Sequence, residues 1–177
     1  MHHVPPASSA VRPPAGRLGV VTIPGRRGEA ERLRRKQEAG ASFAVSQILC
    51  EPEAAVRLQA EAKGEAPFTL FWSLAPVARR RDVEFLRWLG VDIPPAVSDH
   101  LLAESSPAAR LRRSDALNLA IARRLLEAAE ASEASGRGRL AVGFCVEHVM
   151  LSNLEAAIGL VEQVRELARG FSLAVSH

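Results

Sequence analysis

The chain has 177 residues, 47% of them hydrophobic, with a formal charge of +3. That is long and apolar enough for one domain with its own core, which excludes a disordered chain. No apolar run reaches the roughly 18 residues a membrane-spanning helix needs, and so small a charge does not by itself call for nucleic acid.

Residues 1–16 are rich in Pro, Ala and Ser, contain no secretory h-region, and read as a flexible arm; the domain proper is expected over 17–177. LGVVTI, Leu18 to Ile23, reads as a short buried strand stopped by Pro24-Gly25. A polar helix follows from Glu29 to Ala39, with Ala30, Leu33 and Ala39 inward and Gly40 as its stop signal. Ser42 to Leu49 is the second strand. Pro52 opens the second helix, which carries Val56, Leu58 and Ala60 to Ala62 and runs to Gly64.

Pro67 to Pro76 is the third strand, and Arg79 to Leu89 the third helix, with Val83, Leu86 and Leu89 on one face. VDIPPAVSDHLLAE is an irregular connection into a short helix. The longest helix is expected over Ser114–Ala134, with Ser114 as N-cap and a stripe of Leu117, Ile121, Leu125 and Ala128. Leu140 to Val146 is the fourth strand. Ser152 and Glu155 have capping-box spacing, and the last helix places Leu154, Ile158, Val161 and Leu167 inward. FSLAV is a docked tail or an extra strand.

Strands apolar on both faces, alternating with helices, predict an α/β fold with parallel strands. A doubly wound sheet and a (β/α) barrel both fit this order. A complete eight-unit barrel needs about 200 residues or more, so the barrel reading is a partial (β/α)8 TIM barrel of about four βα units.

Chemistry in parallel sheets gathers at the carboxy ends of the strands. Here those ends carry Pro24-Gly25-Arg26, Ser46-Gln47, Ala75-Pro76 and Glu147-His148. Gln47 has an amide that can both donate to and accept from a flat heterocycle; the plainer role is to satisfy loop backbone groups. Glu147 and His148, as neighbours on a strand, face opposite ways and do not form an acid–base pair. PGRRG could cradle a phosphate, or serve as the Gly-x-x-Gly clamp of an RNA-binding KH module, but that clamp joins two helices and this one follows a strand. The arginine clusters at Arg32–Lys36, Ala78–Arg81 and Arg110–Arg113 lack interleaved aromatics and read as solvated helix faces. Cys50 and Cys145 have neither disulfide-framework nor zinc spacing and read as reduced thiols of a cytoplasmic protein. No Walker A loop, G-x-S-x-G elbow or G-x-G-x-x-G is present.

The stretch from Gly19 to Leu49, with Pro24, Leu33-Arg34-Arg35-Lys36, Glu38-Ala39-Gly40-Ala41 and Ser46-Gln47, resembles the fifth and sixth βα units of methylenetetrahydrofolate reductase, a flavin-dependent (β/α) barrel. Phe68 to Val97 resembles the seventh unit, and Leu140 to Val164 the last. The resemblance covers roughly 17–170, the carboxy-terminal half of that barrel. It implies hydride transfer from NAD(P)H, by way of FAD, to 5,10-methylenetetrahydrofolate. It places Gln47 and Asp82 at the folate, and Glu29, Arg32 and Lys36 beside the flavin's ribose and diphosphate. The family's Tyr-Pro-Glu-x-His loop is Ile-Pro-Gly-Arg-Arg here. The half of the family's barrel that carries the catalytic glutamate has no counterpart in this sequence, so no catalytic residue is assigned. The expected partners are folate and either a chain supplying the other half-barrel or a second copy, with neither membrane nor nucleic acid. A non-catalytic half-barrel that self-assembles or binds a protein is the alternative.

Overall fold

The computed structural model describes residues 16–62, 67–134, 140–148 and 150–171. Four strands, β1 (Leu18–Thr22), β2 (Ala41–Ser46), β3 (Phe68–Leu74) and β4 (Leu140–Val146), form one sheet in the order β1-β2-β3-β4, and every pairing is parallel. Helices α1 (Glu29–Glu38), α2 (Glu53–Glu61), α3 (Arg80–Trp88), α4 (Pro95–Leu102), α5 (Pro107–Ala134) and α6 (Leu154–Arg169) make the connections and close the chain. Sequential parallel order is the arrangement of a barrel wall, whereas a doubly wound sheet reverses its order at a switch point. The fold is α/β, a partial (β/α)8 barrel of four units.

The core lies on one face of the sheet. Ala44, Leu70, Trp72 and Leu74 from the strands pack with Leu33, Leu58, Ile121, Leu125 and Leu160 from the helices. A buried amide ties the layers together: Gln59 on α2 accepts from the Trp72 indole N–H at 3.2 Å and donates to the Leu125 carbonyl at 3.2 Å. A second cluster, with Ile48, Val77, Val83, Leu86, Ile93 and Leu101, seats α3 and α4 beneath the strand ends. The register skips Ser42 between Ala41 and Phe43, a bulge that puts Ala41 and Ala44 on the same, helix-packed face.

The other face, away from the helices that make the core, is the one a barrel wall turns inward, its concave face. The register aligns its side chains in rows: Gly19, Phe43, Thr69 and Ala141, then Val21, Val45, Phe71 and Gly143. The Phe43 and Phe71 rings meet edge to face at 5.9 Å. Each ring lies across a glycine of the neighbouring strand. A Cβ on Gly19 would stand 2.2 Å from the Phe43 ring, and one on Gly143 would stand 2.7 Å from Phe71. These glycines are therefore where the rings fit.

Several sequence expectations need correction. α5 begins at Pro107, so Ser114 is not its N-cap; it is a buried mid-helix residue whose hydroxyl accepts from the Val77 N–H at 2.8 Å. The Ser152–Glu155 capping box does not form. A 3-10 turn over Leu151–Asn153 leads into α6 with no side-chain cap bond. α6 turns Ala157, Leu160 and Val164 to the core and leaves Leu154, Ile158 and Val161 exposed. It carries two apolar stripes, and periodicity alone does not say which one meets the sheet. Leu89 and Ala39 are also exposed. The stop signals are as expected: Gly40 and Gly90 have φ of 99° and 81°, just past the ends of α1 and α3, where L side chains are disfavoured. The arm at 1–15 and the tail after Phe171 lie outside the described residues.

Candidate functional site at the strand ends

Gln47 continues the ladder one residue beyond β2, because its backbone N–H donates to the Thr22 carbonyl at 2.8 Å. The alternation of Phe43 and Val45 therefore carries its side chain to the concave face, at the carboxy rim. Its Oε1 accepts from the Ile48 N–H at 3.0 Å. That is the loop-satisfying role open in the sequence, and it also orients the amide: with the oxygen held, the NH2 group remains to donate. Ser73 and Cys145 pair across β3 and β4 in the next row of the same face. The rim thus carries an amide and a half-buried thiol, with the fully buried Ser73 hydroxyl on the strand between them, above two rows that are otherwise apolar or glycine apart from Thr69.

Cys145 is half-buried, and burial together with the Glu147 carboxylate raises its pKa, which keeps it a thiol near neutrality. Cys50, behind the rim, is pushed up to about 11 by burial and by the carboxylates of Asp92 and Glu51. His148 is exposed. Among the described residues no group of three or more His, Cys, Asp or Glu could hold a metal ion, and no helix is long and apolar enough to cross a membrane.

Asp82, expected at the folate, is fully buried. As the third residue of α3 its Oδ2 accepts from the Ala78 and Arg79 amides at 3.0 and 2.9 Å, and from Asn153 Nδ2 at 3.1 Å. Asn153 also donates to the Pro76 carbonyl at 3.3 Å, and Asn118 to the Ala75 carbonyl at 3.0 Å. This network fixes the loop after β3 to α5 and α6, and it uses Asp82 as a helix-start acceptor beneath the rim. Sequence reasoning missed Asn118 and Asn153, because the backbone groups they satisfy lie 43 and 77 residues away.

The three residues expected beside a flavin lie on α1, and two of them are already engaged by the chain itself. Glu29 is buried. Its carboxylate accepts from Thr22 Oγ1 at 2.8 Å and the Ile23 N–H at 3.0 Å on one oxygen, and from Arg26 Nε at 2.7 Å on the other. Burial alone would raise its pKa, but these donors outweigh it and hold the carboxyl below the ordinary carboxylate value. Lys36 Nζ donates to the Val21 carbonyl at 2.6 Å. Arg32 is exposed on α1 and, among the described residues, makes no ion pair. A buried anion, an engaged ammonium and one free guanidinium do not fit a flavin diphosphate, which needs converging donors.

No family model matches the chain, and no curated protein does. Among solved structures, it is similar to an uncharacterized protein from Clostridium thermocellum that binds two copies of 5-methyl-5,6,7,8-tetrahydrofolic acid. The TM-score is 0.71 at 23% identity, over 85% of this chain. The likeness bears on the fold, and it supports the partial barrel. The chain spans only 54% of the length of that relative.

Proposed function

We propose that this half-barrel binds a reduced folate at the carboxy rim of its sheet. The oriented amide of Gln47 donates to the pterin, and the ring rests above Val45 and Phe71. The observation that carries this reading is the placement of Gln47. Its backbone extends β2, its side chain continues the concave rows, and its Oε1 is already held by the Ile48 N–H, so the NH2 group is presented to a ligand. The similar fold of a protein that binds 5-methyltetrahydrofolate supports the ligand class. A pterin is flat, apolar on its faces and rich in donors and acceptors at its edge, which matches an aromatic floor beneath a polar rim.

The resemblance to methylenetetrahydrofolate reductases extends this reading to flavin-mediated hydride transfer. The engaged states of Glu29 and Lys36 argue against a flavin diphosphate on α1, so binding, rather than reduction by this chain, is the function its geometry supports best. Calorimetric titration of the full chain with 5-methyltetrahydrofolate tests it. Binding at micromolar levels that falls at least about tenfold in Gln47→Leu is the expected result. No heat of binding up to millimolar ligand, or equal affinity in Gln47→Leu, overturns it.

A further inference from the structure

Among the described residues, the exposed large hydrophobic side chains are concentrated. Leu18 and Val21 lie on β1, the strand at one edge of the sheet, Val21 on its concave face, and Ile23 follows β1 directly. Leu151, Leu154, Ile158 and Val161 lie on or just before α6, which packs beside the other open edge. Only Trp88 and Leu89, at the end of α3, are elsewhere. An apolar groove of about 280 Å³ runs along that second flank between β4 and α6, lined by Leu126, Val142, Phe144, Val146, Val161 and Val164 among others. Monomeric proteins rarely leave such patches uncovered, and a parallel sheet whose two edges are unpaired among the described residues invites strand addition.

We propose that a second copy of this chain covers both flanks, β4 of each copy pairing with β1 of the other, so that two half-barrels close one eight-stranded ring. Three observations favour a copy of the same chain. First, its two flanks are the two surfaces a ring seam needs: among the described residues, β1 with exposed Leu18 has no outer strand, nor has β4 with its half-covered α6, and a two-fold axis brings them together twice. Second, the concave rows place the rings, Phe43 and Phe71, on the inner strands, and no ring on the seam strands, which carry Gly19, Val21, Ala141 and Gly143 there. An eight-stranded interior is just wide enough to be filled by side chains, and small seam residues leave room for the rings of the opposite copy. Third, α6 would stand beside the partner's α1. The exposed Glu155 and Glu162 of α6 would meet an α1 whose Arg32 makes no ion pair among the described residues, while Glu166 is already bonded to Arg169 and Arg165 is the other exposed cation of α6. The similar folate-binding chain is nearly twice as long as the part matched here, as a closed barrel requires.

The proposal rests on the half-barrel reading. It would complete the rim on which the folate reading depends, since one copy presents only half of a mouth. Sedimentation of the full chain, with Ile158→Glu and Trp88→Ser as variants, tests it. The expected species has twice the 19.1 kDa mass of one chain. Its dissociation constant rises at least about tenfold in Ile158→Glu, where a charge enters the seam, and stays unchanged in Trp88→Ser. Circular dichroism shows whether each variant is folded, which the surface position of Ile158 favours; an unfolded Ile158→Glu is replaced by Leu154→Glu. A monomer at every concentration overturns the proposal, as does a dimer that survives the folded α6 charge variant or dissociates in Trp88→Ser. A dimer that binds no folate keeps the ring and removes the folate reading. Folate bound by a persistent monomer does the reverse.

Discussion

The Lys36 ammonium donates to the backbone carbonyl of Val21 at 2.6 Å. Thr22 bonds toward β2 through the Gln47 N–H, so the carbonyl of Val21 points the other way, to the open edge of β1. A lysine there satisfies a group that would otherwise recruit a strand, one of the ways proteins protect edges. It also holds the carbonyl that a pairing strand would need.

Lys36→Met should therefore favour association. The lost bond is solvent-exposed and contributes about 0.5–1.5 kcal/mol at most, so the fold survives while the edge is freed. Concentration-dependent sedimentation should show tighter self-association by roughly two- to tenfold. Weaker association would mean that Lys36 supports the seam rather than guarding it.

Glu29 joins the end of β1 to the start of α1 through Thr22, Ile23 and Arg26. Because its folded pKa lies below the unfolded value, its stabilisation is present above the ordinary carboxylate value of 4.5 and is lost as pH falls through the lower, folded one. Glu29→Gln should cost about 1–3 kcal/mol at neutral pH. It should cost progressively less below pH 4.5, so that wild-type and variant melting curves converge in acid. An equal difference at pH 7 and pH 3 would remove this account.

A methyl group at Gly143 has no room while Phe71 lies flat across it. Gly143→Ala should destabilise by about 1–3 kcal/mol as the ring is displaced. Combined with Phe71→Ala, it should add almost nothing further. A double-mutant cycle in urea reads the coupling directly, and additive costs would show that the ring and the glycine are independent.

Thiol reactivity maps the two sides of the rim. Cys50, with a pKa of about 11, should alkylate very slowly at pH 8. Cys145, on the concave face, should react faster, and 5-methyltetrahydrofolate should protect it while leaving Cys50 unchanged. Mass spectrometry after timed iodoacetamide treatment checks both. Equal protection of the two thiols, or of neither, would place the ligand away from the concave rows.

The four strands and their helices were legible in the sequence because each is a local pattern. Apolar runs, β-branched before Pro24-Gly25 and aromatic-rich before Pro76, end at those breakers, and helices stop at Gly40 and Gly90, where positive φ is needed. Parallel pairing followed from strands apolar on both faces, and Gln47 at a strand end was visible from its position alone. What the tertiary structure decided were the relationships between distant residues. It chose which stripe of α6 met the sheet, leaving Ile158 and Val161 outside, because both stripes have helical spacing and only the adjoining strand selects between them. It turned Ser114, Asn118 and Asn153 into supports for the loop after β3, and buried Asp82 among them, because an unpaired backbone group in a core must find a donor or acceptor wherever the fold brings one. It laid Phe43 and Phe71 over glycines of neighbouring strands, a fit fixed by register, which no single segment of the chain contains.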